Sequence, residues 1–332
     1  MNSYTVPGLV SVIVASYNHA EYLVERMDSL ICQTYQSIEI LVIDDCSTDN
    51  SIEVLNHYVI HPNVRLIIRE QNSGWVSVSN YGVEISRGEY IIFANCDDSC
   101  DSEMIQRLVE GFRCNSSVGI SYCRSLMINE SGKILGDDFE CREHNFRTNC
   151  MNDTLISRYQ MQLFLLHSCV IPNLSAALFS RDCFVKAGGL SPSYRVCSDW
   201  DLFFHIASFS DVYYVAKPLN KFRQHQTTIR MSTKERILYT EIVSLLLIQI
   251  KMLNLTWFER SKYRLRVMYI WSSHILGVSF AGFHSFQFIT KIVLQIDPSA
   301  MIYIPPAIIL RMYHLLIKLT NKLFAKLSIC SK

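Results

Sequence analysis

A chain of 332 residues exceeds one typical domain, so one large α/β domain with an appendage is expected. Hydrophobic residues at 49% and charged residues at 18% supply a buried core and exclude a disordered chain. Lys plus Arg (31) balance Asp plus Glu (30) to a net charge of +1, which argues against a general nucleic-acid binder. The 12 cysteines are scattered, without the paired CxxC spacing of a zinc site. The first residues lack a basic leader, and Leu9–Ala15 is short for a secretory core, so free thiols in a reducing cytosol are expected.

In chain order, the first half alternates β-branched runs with helix-like segments, the pattern of an α/β sheet. Leu9–Ala15 reads as a buried strand and Tyr22–Cys32 as a helix. Ile38–Ile43 is a second strand ending in Asp44-Asp45, and Ser47–Ser51 reads as a cap opening a helix through Tyr58. Val64–Arg69 is a third strand, Val76–Ser86 a helix, and Glu89–Ala94 a fourth strand that runs into Asn95-Cys-Asp-Asp98. Ser125–Thr154 carries turn signals and reads as a loop or small hairpin. Val170–Phe179 and Asp211–Lys217 read as further strands, separated by a helix near Asp199–Ser208.

Polar groups thus collect at the carboxyl ends of strands, where open α/β sheets bind ligands. The loop after the first strand lacks GxGxxG, and GxxxxGK[ST] is absent, which disfavours a dinucleotide-binding Rossmann domain and a P-loop NTPase. Taken singly, Asp44, Asp45, Asp97, Asp98, Asp199 and Asp201 could each merely cap a helix or turn a loop. As an ordered set they suit different work. Carboxylates ligate the hard divalent cation that a nucleotide diphosphate needs, and a metal-free carboxylate can take a proton from an incoming hydroxyl.

At these residues a resemblance enters. Val10-Ser-Val-Ile-Val-Ala-Ser-Tyr-Asn18, Gln33-Thr-Tyr35, Val42-Ile-Asp-Asp-Cys-Ser-Thr-Asp49, Gly88–Asp98 and Ser198-Asp-Trp-Asp-Leu202 resemble, in order, the blocks of family 2 glycosyltransferases, including bacterial polysaccharide and O-antigen enzymes. The resemblance covers roughly two-thirds of the chain. It implies a GT-A fold (Rossmann-like), a nucleotide-sugar donor such as a UDP-sugar, Mn²⁺ or Mg²⁺, and inversion at the anomeric carbon. Carried over, Ala15 and Tyr17 lie against the nucleoside, and Asp45 hydrogen-bonds the base or ribose. Asp97 matches the last acid of the DxD motif and contacts the metal. Asp199 takes the catalytic-base position, and His225 in Phe222-Arg-Gln-His225 approaches the metal or diphosphate, with Arg223 a diphosphate partner by charge. Asp44 suits assistance or capping, Asp98 suits donor sugar or solvent, and capping is favoured for Asp201. Trp200 suits a sugar platform or the core. Leu174–Arg181 and Gly188-Gly-Leu190 match the acceptor-side block.

The chain departs from the pattern at Asn95, which replaces the first acid of DxD and offers a carbonyl oxygen without charge. Ser79-Asn80 stands where Arg-Asn is common, so a basic contact to acids or phosphate is expected to be missing. Asn80 suits a loop-orienting role or an ordinary helix position.

Residues 1–230 are therefore read as the catalytic domain and residues 231–332 as a helical region. In the latter, no run of some 18 apolar residues is uninterrupted. Met301–Ile317 is broken by Pro305-Pro306 and Arg311. A helical wheel gathers Met312, Leu315, Leu316, Leu319, Leu323 and Leu327 on one face and Arg311, Lys318, Lys322 and Lys326 on another. That pattern suits a helix lying on an anionic bilayer or one packed on the catalytic domain.

The expected activity is transfer of a hexose from a nucleotide-sugar to a hydroxyl of a lipid-diphosphate-linked saccharide, with a β-linkage, in surface polysaccharide synthesis. The expected place is the cytoplasm, peripheral on the inner face of the membrane through Arg311–Lys326, with no nucleic-acid partner. A nucleotidyltransferase is the enzymatic alternative, although Ser16–His19 is not a triphosphate-holding loop. A sugar-nucleotide binding protein without turnover is the other, prompted by Asn95 and Ser79.

Overall fold

The computed structural model describes residues 5–225, 228–272 and 282–329. The chain divides into two compact units, Met1–Met231 and Ser232–Lys332.

In the first unit the chain alternates strand and helix: β1 (Val6–Ser16), α1 (Ala20–Ile31), β2 (Ile38–Asp44), α2 (Ser51–Asn56), β3 (Val64–Ile68), α3 (Trp75–Ile85) and β4 (Gly88–Phe93). There follow β5 (Ser99–Cys100), α4 (Met104–Cys114), β6 (Val118–Ile128), β7 (Ile134–Asp137), α5 (His144–Asn149), β8 (Thr154–Ile156) and α6 (Arg158–His167). The unit closes with β9 (Ala177–Ser180), α7 (Arg181–Lys186), α8 (Ser198–Ala207), β10 (Asp211–Arg223) and the short α9 (Ile229–Ser232).

The strands form one mixed sheet in the order β3-β2-β1-β4-β9-β6-β10-β5, with β7 on β6 and β8 on β10. β1 pairs in parallel with both β2 and β4, while β9 is antiparallel to β4 and β6. Strand side chains alternate between faces, and a central strand covered on both sides is apolar at every position. Val10, Val12 and Val14 therefore enter a core with Leu23 and Met27 of α1 and Ile105 and Leu108 of α4. Ile13, on the opposite face, packs under α3, where Gly82 lies so close that an added Cβ would sit 2.5 Å from Ile13 Cγ2 and 3.0 Å from Ile43 Cδ1. Parallel strands leave all their forward loops at one edge, which is where the candidate site lies.

Several expectations are corrected. The apolar run Val170–Phe179 is not one strand: Asn173 accepts a hydrogen bond from Ala176 N at its side-chain oxygen (3.2 Å), a 3₁₀ turn spans Leu174–Ala176, and pairing begins only at Ala177. Within Ser125–Thr154 the small-hairpin alternative is the one found, since β6 continues to Ile128 and turns back antiparallel as β7; the short α5 after it is not part of that expectation. In the expected Ser47–Ser51 cap, Asn50 precedes the helix without a side-chain cap bond, and Asp49 instead accepts from Ser51 N (3.0 Å).

The second unit comprises α10 (Glu235–Met252), α11 (Trp257–Ser272), α12 (Gly282–Ile296) and α13 (Ile304–Ile329), with a 3₁₀ segment at Pro298–Tyr303. Its core includes Leu245, Leu246, Val267, Met268, Trp271, Ile289 and Val293. Arg264 Nε and Asp297 Oδ2 pair at 2.8 Å. Pro305 and Pro306 do not break a helix but begin one, since the first-turn positions have no intrahelical acceptor for an N–H. Met312 and Leu316 are exposed, while Arg311 is half-buried over the Tyr269 ring at 5.3 Å. The side chains of Leu315, Lys318, Leu319, Lys322, Leu323, Lys326 and Leu327 lie outside the described residues. No helix among the described residues is long and apolar enough to cross a membrane.

The packing at Gly82 yields a prediction. Gly82→Ala should gain about 1 kcal/mol of helix propensity and lose ~1–3 kcal/mol to overpacking against branched side chains. A net destabilisation is expected as a lower denaturant midpoint; an unchanged or raised midpoint would contradict the close approach of α3 to the sheet.

Candidate active site

The first two forward loops are tied to each other before they meet any ligand. Asn18, at φ +52°, donates its N–H to Ser47 Oγ (3.0 Å) and accepts from Thr48 N (2.7 Å) and Asp49 N (3.3 Å). Asp49 in turn accepts from Ala20 N (3.1 Å), the first residue of α1. Asp44 is fully buried and accepts from Ser47 N (2.8 Å) and Ser47 Oγ (2.6 Å), which is the turn-capping role. Ala15 is half-buried at the end of β1, and Tyr17 is exposed beyond it.

Asp45 does something the sequence did not suggest. Its buried carboxylate accepts from Ser73 N (3.1 and 3.0 Å), Ser73 Oγ (3.1 Å) and Gly74 N (2.8 Å), so it shapes the loop that opens α3. Arg69 Nε approaches it at 3.8 Å from the end of β3.

The densest polar cluster follows β4. Asn95, Cys96, Asp97 and Asp98 lead into β5, whose Ser99 and Cys100 pair antiparallel with Lys221 and Asn220 of β10. That pairing carries the end of β10 across the carboxylates. His225 Nε2 lies 2.8 Å from Asp97 Oδ2, and the His225 ring is buried. Arg223 donates its backbone N–H to Asp98 Oδ1 (2.9 Å) and its Nε to the Asp97 carbonyl (2.7 Å). Asn173 Nδ2 donates to Asp98 Oδ2 at 2.7 Å, and Asn95 Nδ2 to the same oxygen at 3.4 Å.

Arg223 is corrected from its expected role. Its remaining nitrogens donate to the carbonyls of Asn129 (3.0 Å) and Glu130 (2.9 Å) and to Glu25, and the guanidinium lies over the Tyr22 ring at 4.8 Å. Its side chain is 1% exposed and every nitrogen is spent within the protein. It is a brace rather than a diphosphate ligand.

These neighbours set the ionisation of the acids. Burial alone would raise the Asp97 carboxyl, but the His225 hydrogen bond and the charges of His19 and His225 outweigh it and hold it below the usual value. The bond to Asp97 raises His225 in return, against its burial. Burial, followed by repulsion from Asp97, pushes Asp98 up to about 7, opposed by Arg26, Ser175 and Arg223.

His19 completes a group of three. The candidate ligand atoms of His19, Asp97 and His225 all lie within 4.8 Å of one another. Two imidazoles and a carboxylate, one of them buried and the others half-buried, are a donor set that suits a divalent cation. Beside His225 a cavity of about 420 Å³ is lined by Asn129, Glu130, Ser131, Gln224 and Met231. His19, Asn173 and the Asn129-Glu130 turn belong to this centre, and the sequence reading did not include them.

Asp199 stands on a different element, in the first turn of α8, where its Oδ1 accepts from Trp200 N (2.7 Å). The loop before it is clamped from α3. Asn80 Nδ2 donates to Leu190 O (2.8 Å), and Leu190 N donates back to Asn80 Oδ1 (3.0 Å). Gly189 has φ +73°, and a Cβ there would meet Asn80 Oδ1 at 3.0 Å, so glycine fits both the turn and the clamp. Trp200 is buried and parallel to Phe204, and Asp201 is buried 3.7 Å from His205 Nδ1, so both belong to the α8 packing.

Comparison with known proteins bears on the family and the fold. Residues 11–166 match the family Glycosyl transferase family 2. Relatives include glycosyltransferase GlyG of Streptococcus pneumoniae, 40% identical over 31% of this chain and 34% of that protein. The chondroitin synthase of Escherichia coli is 32% identical over 40% of this chain and 19% of its own length. These matches thus span about a third or less of the relatives. Staphylococcus aureus TarS 1–349, solved with UDP-GlcNAc, superposes with a TM-score of 0.70 over 89% of this chain and 84% of that one, at 15% identity. That last likeness is one of fold. The first unit is a GT-A domain with a helical C-terminal part following it in the chain. It is a family 2 glycosyltransferase domain.

The brace at Arg223 is testable. Arg223→Leu removes a buried cation and strands the carbonyls of Asp97, Asn129 and Glu130, which should cost about 3 kcal/mol of stability. Urea unfolding reads this directly. Native stability with only donor affinity lost would restore the diphosphate role.

Proposed function

We propose that this protein transfers a sugar, a hexose on UDP by preference, from its nucleotide diphosphate to a hydroxyl of a lipid-diphosphate-linked saccharide, with inversion to a β-linkage. The observation that carries the reading is the Asp97–His225 pair, held 2.8 Å apart beyond the carboxyl ends of β4 and β10 in a family 2 domain. Ala15 and Tyr17 flank the nucleoside. Asp45 serves it mainly by holding the Ser73-Gly74 loop in place. Asn95 offers a hydrogen bond to ribose or sugar. Asp97 and His225 hold Mn²⁺ or Mg²⁺, which when bound neutralises charge on the departing diphosphate.

Asp199 is the general base. As the acceptor oxygen bonds to the anomeric carbon, the carboxylate takes the hydroxyl proton, and the bond to the diphosphate oxygen breaks on the opposite face. The first-turn position on α8 holds the carboxylate beside the Trp200 N–H. The loop clamped by Asn80 fixes where α8 begins, and so where the carboxylate stands.

A peripheral place on the inner face of the cell membrane suits a lipid-linked acceptor. It is supported by exposed Ile309, Met312, Tyr313 and Leu316 on α13 and by the absence of acids after Asp297.

The test is a panel of nucleotide-sugars with lipid-diphosphate acceptors, with and without Mn²⁺. Asp199→Asn should lower turnover by ~10²–10⁴-fold while leaving donor binding by calorimetry unchanged. Undiminished turnover in that variant would remove Asp199 from the chemistry, and no transfer from any donor would remove the activity.

A further inference from the structure

The cation site has a feature that the DxD comparison does not supply. Asn95 has no carboxylate, and its side-chain amide nitrogen donates to Asp98 Oδ2 at 3.4 Å. The centre therefore has one charged oxygen fewer than an Asp-x-Asp pair would give it. A nitrogen donor stands close by.

We infer that His19 is a third protein ligand to the cation, and that it makes the site select Mn²⁺ over Mg²⁺. This rests on the glycosyltransferase reading above, in which Asp97 and His225 hold the metal. Three observations carry it.

First, His19 is the residue before α1, yet its side chain makes no capping bond; Asp49 caps that end through Ala20 N. The usual structural task of a polar residue at this position is taken. Second, His19 Nδ1 lies 2.7 Å from the Tyr17 carbonyl. A carbonyl oxygen only accepts, so Nδ1 carries a hydrogen, and in the neutral ring Nε2 is the nitrogen that holds the lone pair. That is the tautomer of a metal-ligating histidine whose other nitrogen is anchored to the backbone. Third, the His19 ring meets the His225 ring edge-on, with centroids 5.8 Å apart and planes at 74°. Asn18, immediately before it, is pinned to the neighbouring loop, so the imidazole is offered from a fixed backbone.

The distances agree with a shared ion. Ligands about 2.1 Å from a cation stand ~3 Å apart when adjacent and about 4.2 Å apart when opposite. The Asp97–His225 separation of 2.8 Å is the adjacent value. The outer limit of 4.8 Å for the group closes to the opposite value with a shift of a few tenths of an ångström.

Donor chemistry then sets the preference. Mg²⁺ takes oxygen ligands and retains several waters, whereas imidazole nitrogens favour transition ions, and Mn²⁺ accepts carboxylate and imidazole together. Adding nitrogen from His19 to that of His225 moves the site away from Mg²⁺.

The experiment uses the full chain and Mn²⁺ alone, without donor. Binding is followed by the free-ion EPR signal, Mg²⁺ is added as competitor, and pulsed EPR counts nitrogens coupled to bound Mn²⁺. The wild type should show two coupled imidazole nitrogens and resist displacement by a hundredfold excess of Mg²⁺. His19→Gln should show one and bind Mn²⁺ at least tenfold more weakly. His19→Asp should recover affinity and become displaceable by Mg²⁺. Thermal unfolding in EDTA identifies variants that fold as the wild type does. Mn²⁺ affinity within twofold of wild type in folded His19→Gln, or one coupled nitrogen in the wild type, would overturn the inference. Transfer assays separate it from its premise: two coupled nitrogens without transfer would leave the ligand set standing and remove the activity.

Discussion

Asp97 and Asp98 are consecutive carboxylates, the first half-buried and the second buried, and two such charges cannot stand side by side there without compensation. The fold supplies it from three directions. β10 brings His225 to one and the Arg223 backbone to the other. The segment before β9 brings Asn173, and α1 brings the fully buried Arg26, whose charge favours ionised Asp98. Arg223 then anchors the assembly to Asn129 and Glu130 on the β6–β7 turn and to Glu25 on α1. Elements more than a hundred residues apart in sequence are thereby held at one strand end.

This compensation is also what makes the centre useful. The two acids do not share one fate. Asp98 is enclosed by donors and serves the structure, while Asp97 stays partly accessible, paired with an imidazole and held in its charged form. A cation that replaces the proton between Asp97 and His225 meets a ligand pair already at ligand spacing. Preorganisation of this kind lowers the cost of ordering the site when donor arrives.

The legible parts of the sequence were those whose physics is local. β1, β2 and β4 stand out because strands covered on both faces need apolar residues throughout, and the acids at their ends interrupt those runs abruptly. β6 does not stand out, since Gly119, Ser121, Arg124 and Ser125 dilute its pattern. Val170–Phe179 misleads because its apolar content hides a turn made by one asparagine side chain. Among site residues, Asp97 and His225 carried motif signals. The sequence offered no sign that His19 would face them, because that depends on how the first loop is pinned by Asn18. Arg223 looked like a phosphate ligand by charge, and only its carbonyl and carboxylate partners show otherwise. Asp45 likewise has a role fixed by Ser73 and Gly74, which no pattern around Asp45 announces.

The central claim is that Asp97 is the hub at which metal and donor diphosphate meet. Anomalous diffraction from crystals grown with Mn²⁺ and UDP tests it most directly. The account predicts a single manganese peak bonded to Asp97 Oδ2, His225 Nε2 and the His19 imidazole, with diphosphate oxygens completing its coordination. Manganese or diphosphate bound away from Asp97 would contradict it.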